Sequence, residues 1–447
     1  MTPDPVSFDV LDRASGVLLG QACGDALGVP YEFDYPPEGE AEMRGGGLGP
    51  YAPGEWSDDT QMAICVARVS ERGGALDTEA ELDEIAVAFE EWFARGATDV
   101  GAQTRTVLDD AARLEGSPSA RLVSASERLH LRTGKTAGNG ALMRTGVVGL
   151  VALTDREATA QAATAVARLT HADPLAAESC VLWSEAIRVA VTEERLDLRS
   201  GLDLLPADRR DLWSAWIADA EAERPVADLG NNGFTVTALQ AAWHAIYRSP
   251  FFSAGEITEY DHVVSHLPDA LHRAVRIGGD TDTVAAIAGA LLGARHGTRY
   301  IPREWAFAVH GWPGVRGIDV SRMGRRTAQH GLFDASVGGS SSSGTDASGT
   351  ALTTPETGQS CPVCGTVSRQ LERYPDQVCL WCVAWATDET GRGVLLFNAS
   401  FSGGLDAQYD DGTPASAAAR SGRVLIGGRR YYAQEARFGG IVVLPAD

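Results

Sequence analysis

Residues 16–28 read GVLLGQACGDALG and residues 289–297 read GALLGARHG, so each segment carries a glycine at every fourth position. Positions four apart lie on one face of an α-helix. A glycine inside a helix costs about 0.5–1 kcal/mol relative to alanine, so a repeated stripe requires a compensating gain. The pattern predicts helices whose backbones pack closely along the glycine face, with direct ligand contact as the less favoured alternative. The charges and the length of these segments exclude small-residue packing inside a membrane.

Around these segments, the first 335 residues are typical of an all-α domain. Alanine is abundant, apolar residues recur at helical spacing, and the alternating pattern of a strand is rare. The clearest amphipathic helices are predicted over residues 82–93, 158–169 and 177–191. We therefore predict one compact helical domain over residues 1–335.

The rest of the chain has a different composition. Residues 336–359, SVGGSSSSGTDASGTALTTPETGQ, contain no aromatic residue, lysine or arginine, which predicts a flexible linker. Residues 360–447 carry short apolar runs separated by glycines and polar turns, which predicts a small β-rich module. The predicted strands lie in the segments 393–400, 422–428, 429–432 and 439–445.

The composition excludes several classes of protein. The chain of 447 residues carries 38 basic and 60 acidic side chains, a net charge of 38 − 60 = −22, which disfavours nucleic acids and anionic membranes as partners. A hydrophobic content of 44% excludes disorder throughout the chain. No run approaches the roughly 20 apolar residues of a membrane span, and residues 1–13 lack the features of a secretory signal. We expect a cytoplasmic protein, in which Cys23, Cys65 and Cys180 are buried small side chains.

Two segments place acids and hydroxyls where a loop meets a helix. Residues 56–60 read WSDDT, and residues 277–283 read IGGDTDT. Helix capping explains one or two such side chains, but each junction has two acids and at least two hydroxyls. If the junctions converge, each pair of carboxylates about 4 Å apart would repel by about 4 kcal/mol at an effective dielectric constant of 20, so the cluster would need cations. Oxygen donors without histidine or cysteine favour Mg²⁺ or Mn²⁺, and Gly278 and Gly279 would let the backbone approach them.

Five motifs follow one another along this domain: GQACGDALGVPYE (residues 20–32), WSDDTQMA (56–63), GNGALMR (138–144), THADP (170–174) and GGDTDTVAAIAGALLG (278–293). Together and in this order they resemble the ADP-ribosylglycohydrolase family, which includes the dinitrogenase-reductase-activating glycohydrolases. The match runs from about residue 14 to residue 297, and compatible helical sequence continues to about residue 331. Each motif is weak alone, but five in the right order are specific.

The resemblance implies an all-α fold with a binuclear Mg²⁺ or Mn²⁺ centre at one end. The metal motifs of the family map onto Ser57, Asp58, Asp59, Asp280, Asp282 and Thr283, and members commonly have threonine at the position of Ser57. The ions would hold the 2″- and 3″-hydroxyls of the distal ribose and orient a water that attacks C1″. The carboxylates with an implied catalytic role are Glu32, Asp58, Asp59 and Asp282.

The resemblance also implies a set of substrate-binding residues. Asp99 and Gly101 would lie beside the distal ribose, although capping by Asp99 is an equal alternative. The remaining contacts fall on Gly138, Asn139, Gly140 and Met143, which map onto a diphosphate and ribose loop, and on His171 near the nucleotide. Without the family, the loop would be a simple turn and the histidine a structural one.

The bond that is cut stays open at this point. Members of the family act on ADP-ribosyl-arginine, on ADP-ribosyl-serine or polymer, or on small esters. A non-catalytic ADP-ribose-binding protein, a metal-dependent phosphohydrolase of nucleotides and an adaptor are the alternatives. The presence of all four metal aspartates and of Glu32 favours an enzyme that releases ADP-ribose from a protein or a small molecule.

Near the C-terminus the motifs Cys361-Pro-Val-Cys364 and Cys379-Leu-Trp-Cys382 are separated by 14 residues. Two such motifs at this spacing predict a tetrahedral site in which four thiolates hold one structural Zn²⁺, as in a zinc ribbon. A redox-active CxxC pair is the alternative. We expect zinc to stabilise a module with a small core, and the module to recruit a protein partner or the substrate.

Overall fold

The computed structural model describes residues 8–95, 97–223, 229, 232–249, 260–333, 359–363, 367–368, 374–400, 403–409, 412–437 and 440–446. The chain divides into two compact units, Met1–Gly338 and Gly339–Asp447. Cys364 and nearly all of the predicted linker lie outside the described residues. The first unit is mostly helical and the second carries small sheets.

The first unit is a succession of α-helices joined by loops and 3₁₀ turns. The α-helices are α1 (Phe8–Gly28), α2 (Asp58–Ser70), α3 (Glu79–Arg95), α4 (Ala102–Ala111), α5 (Pro118–Thr133), α6 (Arg156–Arg168), α7 (Pro174–Glu193), α8 (Arg210–Glu221), α9 (Thr235–Tyr247), α10 (Tyr260–Arg276), α11 (Thr281–His296), α12 (Arg303–Ala308) and α13 (Gly317–Phe333). The 3₁₀ helices are Val29–Tyr31, Asn139–Arg144, Gly146–Leu150, Leu198–Leu204 and Thr298–Tyr300. The two-residue strands β1 (His310–Gly311) and β2 (Val315–Arg316) pair antiparallel.

The three helices predicted from apolar periodicity are confirmed as α3, α6 and α7, with differences at their ends. Helix α7 begins three residues earlier than predicted. Its first residue is Pro174, and the side chain of Asp173 accepts the backbone N–H of Leu175 at 3.0 Å. Proline at the first position and an aspartate cap are both favourable at a helix N-terminus.

The glycine stripes of α1 and α11 face each other, which confirms the predicted close packing of backbones. A Cβ atom added to Gly16, Gly20 or Gly24 would lie less than 3.0 Å from a backbone oxygen of α11. Gly16 faces Gly293 and Gly20 faces Gly289, so the two helices run antiparallel. The dispersion contacts of two helices in such close approach compensate for the poor helix propensity of glycine.

This packing places the C-terminal end of α1 beside the N-terminal end of α11. The hydroxyl of Thr281 donates to the carbonyl of Gly28 at 2.8 Å. The backbone N–H of Phe33 donates to the carbonyl of Gly279 at 2.7 Å. Residues more than 240 positions apart are thereby joined at one end of the helical unit.

The second unit contains antiparallel pairings over its described residues. Its strands are β3 (Gln359–Ser360), β4 (Val367–Ser368), β5 (Val394–Ser400), β6 (Gly403–Tyr409), β7 (Arg423–Ile426), β8 (Arg429–Glu435) and β9 (Ile441–Pro445), with short helices α14 (Leu380–Val383) and α15 (Ser416–Ser421). Strands β3 and β4 pair, β5 and β6 form a hairpin, and β7, β8 and β9 form a three-stranded sheet in that order. All four predicted strand segments are confirmed as β5, β7, β8 and β9. Strand β6 was not predicted, because Gly403, Gly404 and Asp406 give it little apolar character.

Among the described residues, no helix has the length and apolar character needed to cross a membrane.

Candidate functional site

The first turn of α2 is fastened to α1 by a buried carboxylate, that of Asp25. Its Oδ1 accepts the backbone N–H and the hydroxyl of Ser57, each at 2.8 Å. Its Oδ2 accepts the backbone N–H of Thr60 at 2.9 Å and its hydroxyl at 2.6 Å. Ser57 is the N-cap residue of α2, but its side chain makes no capping bond. The capping interpretation of this serine is therefore wrong, since its hydroxyl lies between two acids, 2.8 Å from Asp25 and 2.9 Å from Asp59.

The two acidic junctions meet. Oxygen atoms of Asp25, Asp59 and Asp282 lie within 4.8 Å of one another, and so do oxygen atoms of Glu32, Asp280 and Asp282. Asp282 belongs to both groups, at the N-terminus of α11. The close approach of α1 and α11 therefore brings together carboxylates that the sequence places in three separate segments.

Burial and mutual repulsion disfavour negative charge in this cluster. The pKa of Asp59 and that of Asp282 are raised well above the usual value, first by burial and then by the neighbouring carboxylates. Burial, followed by the charges of Asp280 and Asp99, raises the pKa of Glu32 to about 9. Burial raises the pKa of Asp25 to about 6 against the opposing effect of its four hydrogen bonds. Such a cluster is stable in its ionised form only with positive charge among the carboxylates.

One oxygen in particular fits a cation. Oδ1 of Asp59 is buried and accepts no hydrogen bond from any described residue. The side chain of Asp59 lies within electrostatic reach of Asp25, Asp58 and Asp280, and the buried side chain of Thr283 is close enough to oppose the rise of its pKa that burial and these charges cause. Oxygen-only donors of this kind suit Mg²⁺ or Mn²⁺, so the chemistry of the donor set matches a divalent cation.

Two further acidic residues of this region, Asp58 and Asp99, have half-buried side chains. The charge of Asp99 contributes to raising the pKa of Asp58, so the two lie within electrostatic reach. The N-cap of α4 is Gly101, without a side-chain bond, and Asp99 instead accepts the N–H of Val100 at 2.7 Å. The alternative that Asp99 caps α4 is therefore wrong.

The glycine-rich segment 138–140 adjoins the acidic cluster. Nδ2 of Asn139 donates to Oδ2 of Asp280 at 2.7 Å and to the carbonyl of Asn232 at 3.0 Å. A Cβ atom on Gly138 or Gly140 would lie about 3.3 Å from the imidazole of His171. The loop is thus held between the carboxylates on one side and a histidine on the other.

His171 and Met143 are buried behind this loop. The hydroxyl of Thr170 lies 2.7 Å from Nδ1 of the imidazole. Burial, together with the charge of Arg144, lowers the pKa of His171 to about 3, so the ring is neutral. The carbonyl of Met143 accepts Nε2 of Gln21 at 3.1 Å, which connects the segment to α1.

A cavity of about 440 Å³ opens beside the loop, with Gly138, Lys135 and Phe234 in its lining. The lining includes none of the carboxylates of the acidic cluster, but Asn139, which follows Gly138 in the chain, donates to Asp280.

Two residues of this site, Asp25 and Asn232, were not predicted from the sequence. Asp25 lies in a quoted motif, and an acid in an apolar, glycine-striped helix was a usable signal. Asn232 had no such signal: its Oδ1 accepts the N–H of Asp280 at 2.8 Å, and its Nδ2 donates to the carbonyl of Gly278 at 2.9 Å.

Comparisons with known proteins show which family and which proteins the chain is similar to. A family model described as ADP-ribosylglycohydrolase matches residues 7–334. The chain is 30% identical over 324 residues to the ADP-ribosylarginine hydrolase Tri1 of Pseudomonas putida (strain GB-1), covering 69% of this chain and 76% of that protein. It is 28% identical over 306 residues to the ADP-ribosyl-[dinitrogen reductase] glycohydrolase of Rhodospirillum rubrum, covering 66% and 90%.

One further relative and a solved structure are also similar to this chain. The chain is 26% identical over 344 residues to the ADP-ribosylhydrolase ARH3 of Bos taurus, covering 68% of this chain and 90% of that protein. A solved structure titled ADP-ribosylglycohydrolase-related protein complex superposes with a TM-score of 0.56 at 26% identity. That alignment covers 72% of this chain and 99% of the other.

Proposed function

The chain belongs to the ADP-ribosylglycohydrolase family, and we propose that it hydrolyses the bond between C1″ of ADP-ribose and an arginine side chain of a protein. The observation that carries this proposal is a pair of acidic clusters that have Asp282 in common. One consists of Asp25, Asp59 and Asp282, and the other of Glu32, Asp280 and Asp282. The similarity to Tri1, whose name specifies arginine, favours this acceptor over serine or a small ester. The half-buried carboxylate of Asp99 near the cluster is suited to a guanidinium group.

The proposal includes two divalent cations, Mg²⁺ or Mn²⁺. Their ligands would come from both junctions: Ser57, Asp58 and Asp59 on the α2 side, and Asp280, Asp282 and Thr283 on the α11 side. Asp25 has a different part, because each of its oxygens already accepts two hydrogen bonds from Ser57 or Thr60. It would orient the first turn of α2 rather than bind an ion.

In the reaction, the C1″–N bond to the guanidinium breaks, and the oxygen of a water bonds to C1″. The cations would supply positive charge that binds the ribose hydroxyls and lowers the pKa of a water. Glu32 stands beside Asp280 and Asp282 and would deliver a proton to the leaving guanidine nitrogen and accept the proton that the attacking water loses. Asn139 keeps Asp280 in place, and the absence of side chains at Gly138 and Gly140 lets the loop pack closely against the imidazole of His171.

Product analysis tests the proposal. Peptides ADP-ribosylated on arginine or on serine are incubated with the protein, with Mg²⁺, with Mn²⁺ or with EDTA, and the products are identified by mass spectrometry. We expect free ADP-ribose and unmodified arginine peptide only when the cation is present. Release from the serine peptide alone would contradict the proposed acceptor. Release of phosphate instead of ADP-ribose would contradict the reaction and indicate a phosphohydrolase.

We propose in addition that the second unit holds one zinc ion. Sulfur atoms of Cys361, Cys379 and Cys382 lie within 4.8 Å of one another, and Cys361 and Cys382 are buried. Tetrahedral coordination with Zn–S bonds of about 2.3 Å separates sulfurs by about 3.8 Å, which is compatible with this spacing. The backbone N–H of Cys379 donates to Sγ of Cys361 at 3.3 Å, an interaction that favours a thiolate.

The fourth ligand is assigned to Cys364 from the sequence motif alone. Four thiolates would leave no position for a substrate, so the ion would be structural. The zinc would then hold the segment around Cys361 to the turn that contains α14, Leu380–Val383. A redox-active pair of cysteines is the competing interpretation.

Metal content and absorption spectra distinguish the two interpretations. We expect one zinc ion per full-length chain, lost in the Cys361→Ser/Cys379→Ser double variant and kept in the Cys65→Ser/Cys180→Ser control. After cobalt substitution, thiolate-to-cobalt absorption in the near ultraviolet would separate this site from cobalt bound by carboxylates. Zinc retained by the first double variant, or a disulfide between Cys379 and Cys382 in the isolated protein, would contradict the proposal.

A further inference from the structure

Tyr51 lies in the loop between α1 and α2, and its side chain is buried within the first unit. The residue is 7% exposed. Its backbone carbonyl accepts the N–H of Gly46 at 2.9 Å. A Cβ atom on Gly49 would lie 2.9 Å from the Tyr51 ring, so glycine at this position lets the loop close over the ring. The ring is therefore fixed by packing rather than free to turn toward water.

The phenolic hydroxyl of Tyr51 is buried and has no hydrogen-bond partner among the described residues. Buried hydroxyls in folded proteins are nearly always paired, because an unpaired one has lost its water without compensation. Other buried hydroxyls around the acidic cluster follow this rule, such as those of Ser57 and Thr60, which pair with Asp25. The hydroxyl of Tyr51 is therefore an exception, since it is buried without a hydrogen-bond partner among the described residues.

The ring of Tyr51 lies beside the segment that carries Asp99, because a Cβ atom on Gly49 would contact both this ring and the side chain of Thr98. Asp58, Asp25, Asp99 and Asp282 lie within electrostatic reach of Tyr51. The ordinary pKa of a phenol is about 10, and burial raises the pKa of Tyr51 further, so the phenol keeps its proton and is a hydrogen-bond donor at neutral pH. A donor with no acceptor among the described residues, within electrostatic reach of the acidic cluster, is complementary to an oxygen brought by a ligand.

We propose that Tyr51 is a substrate-binding residue whose hydroxyl donates a hydrogen bond to an oxygen of the bound ADP-ribosyl group. The inference rests on the proposed function, since it takes its ligand from it. It gives the loop between α1 and α2 a part in recognition, beyond connecting two helices. The unpaired hydroxyl also gives the proposal a distinctive signature, because removing it affects stability and affinity in opposite directions.

The test compares Tyr51→Phe with Tyr31→Phe. Both tyrosines are buried in the first unit, but the hydroxyl of Tyr31 is paired and accepts the N–H of Glu42 at 3.1 Å. Affinity for ADP-ribose is measured by titration calorimetry on the full-length protein with Mg²⁺, and the Tm of each ligand-free variant is measured alongside. Steady-state kinetics on the arginine peptide give a third readout.

For Tyr51→Phe we expect the Kd for ADP-ribose to rise about 3- to 12-fold, the range of one neutral hydrogen bond, while the Tm stays the same or rises. For Tyr31→Phe we expect a lower Tm and an unchanged Kd. An unchanged Kd and kcat/KM in Tyr51→Phe, with normal binding by the wild type, would overturn the inference alone. A wild-type protein that neither binds ADP-ribose nor releases it would overturn the proposed function, and this inference with it.

Discussion

The first unit gathers its carboxylates from segments far apart in the chain, whereas the second gathers its thiols from two short motifs. Asp25 lies on α1, Asp59 on α2 and Asp282 on α11, and their oxygens lie within 4.8 Å of one another. Cys361, Cys379 and Cys382 come from a segment of 22 residues and meet at the same spacing. The first cluster depends on the packing of long helices, and the second on local turns.

The two clusters also differ in chemistry. The acidic site includes half-buried residues, Glu32 and Asp58, so part of it is accessible from outside the protein. The sulfur cluster has two buried members and one half-buried member, and four thiolates would complete a closed site. An open oxygen site suits catalysis, and a closed sulfur site suits folding.

The largest expected effect comes from Asp282→Asn, because this residue belongs to both carboxylate groups. We expect kcat on the arginine peptide to fall by at least about 10³-fold, since the charge that holds the cations is worth several kcal/mol in the transition state. Burial and neighbouring carboxylates raise the pKa of Asp282, so its ionised form destabilises the cation-free fold above the pKa of an unfolded aspartate. The Tm of the cation-free variant should therefore match or exceed that of the wild type.

Asp109→Asn is the matched control, because Asp109 is exposed on α4. Its kcat and Tm should match those of the wild type. If Asp282→Asn retained turnover while its cation content stayed normal, the oxygen cluster would not be the catalytic centre.

The next prediction tests whether the packing of α1 on α11 positions the carboxylate cluster and leaves the thiol cluster unaffected. In Gly20→Ala, the added Cβ would collide with the backbone of Gly289, so α1 and α11 must move apart. We expect the free energy of unfolding of the first unit to fall by about 1–3 kcal/mol, measured by denaturant titration, with a clear loss of turnover. Zinc content should not change, because the thiols depend on other contacts.

Gly39→Ala is the control for this substitution, since a Cβ atom there meets nothing within 4 Å. Its stability should lie within about 0.5 kcal/mol of the wild type. Equal effects of the two substitutions would show that the glycine stripe does not position the acidic site.

The smallest expected effect is that of removing residues 336–447. Because the carboxylate cluster draws only on the first unit, the remaining chain should release ADP-ribose from a small arginine substrate with kcat/KM within about twofold of the full chain. A protein substrate should show a larger loss if the second unit recruits it. Complete loss on the small substrate would contradict the independence of the two clusters.

The fold was largely predictable because its signals are local and repeated. Amphipathic periodicity over 82–93 and 177–191 was enough to predict α3 and α7, and the glycine stripes indicated close helix packing. Strand β6 was missed, because its glycines and its aspartate conceal a strand that pairing with β5 stabilises.

The acidic site was predictable only in part. Asp59 and Asp282 stand in dense acidic motifs, and a resemblance in five motifs identified them. Asp25 and Asn232 act through hydrogen bonds with residues distant in the chain, and each stands alone in an ordinary segment. Single polar residues of this kind carry no periodic signal, so their roles follow from contacts rather than from patterns.

By itself, the sequence determined the helical class of the first unit, the change of texture after residue 335, the two cysteine motifs and the family. These features depend on spacing along the chain, which composition and periodicity express directly. Tertiary structure alone decided that α1 faces α11, that Asp282 belongs to two clusters of carboxylates and that the hydroxyl of Tyr51 has no acceptor among the described residues. The reason is that burial, repulsion between charges and hydrogen-bond pairing depend on distances in space, which the packing of α1 on α11 sets between residues more than 200 positions apart.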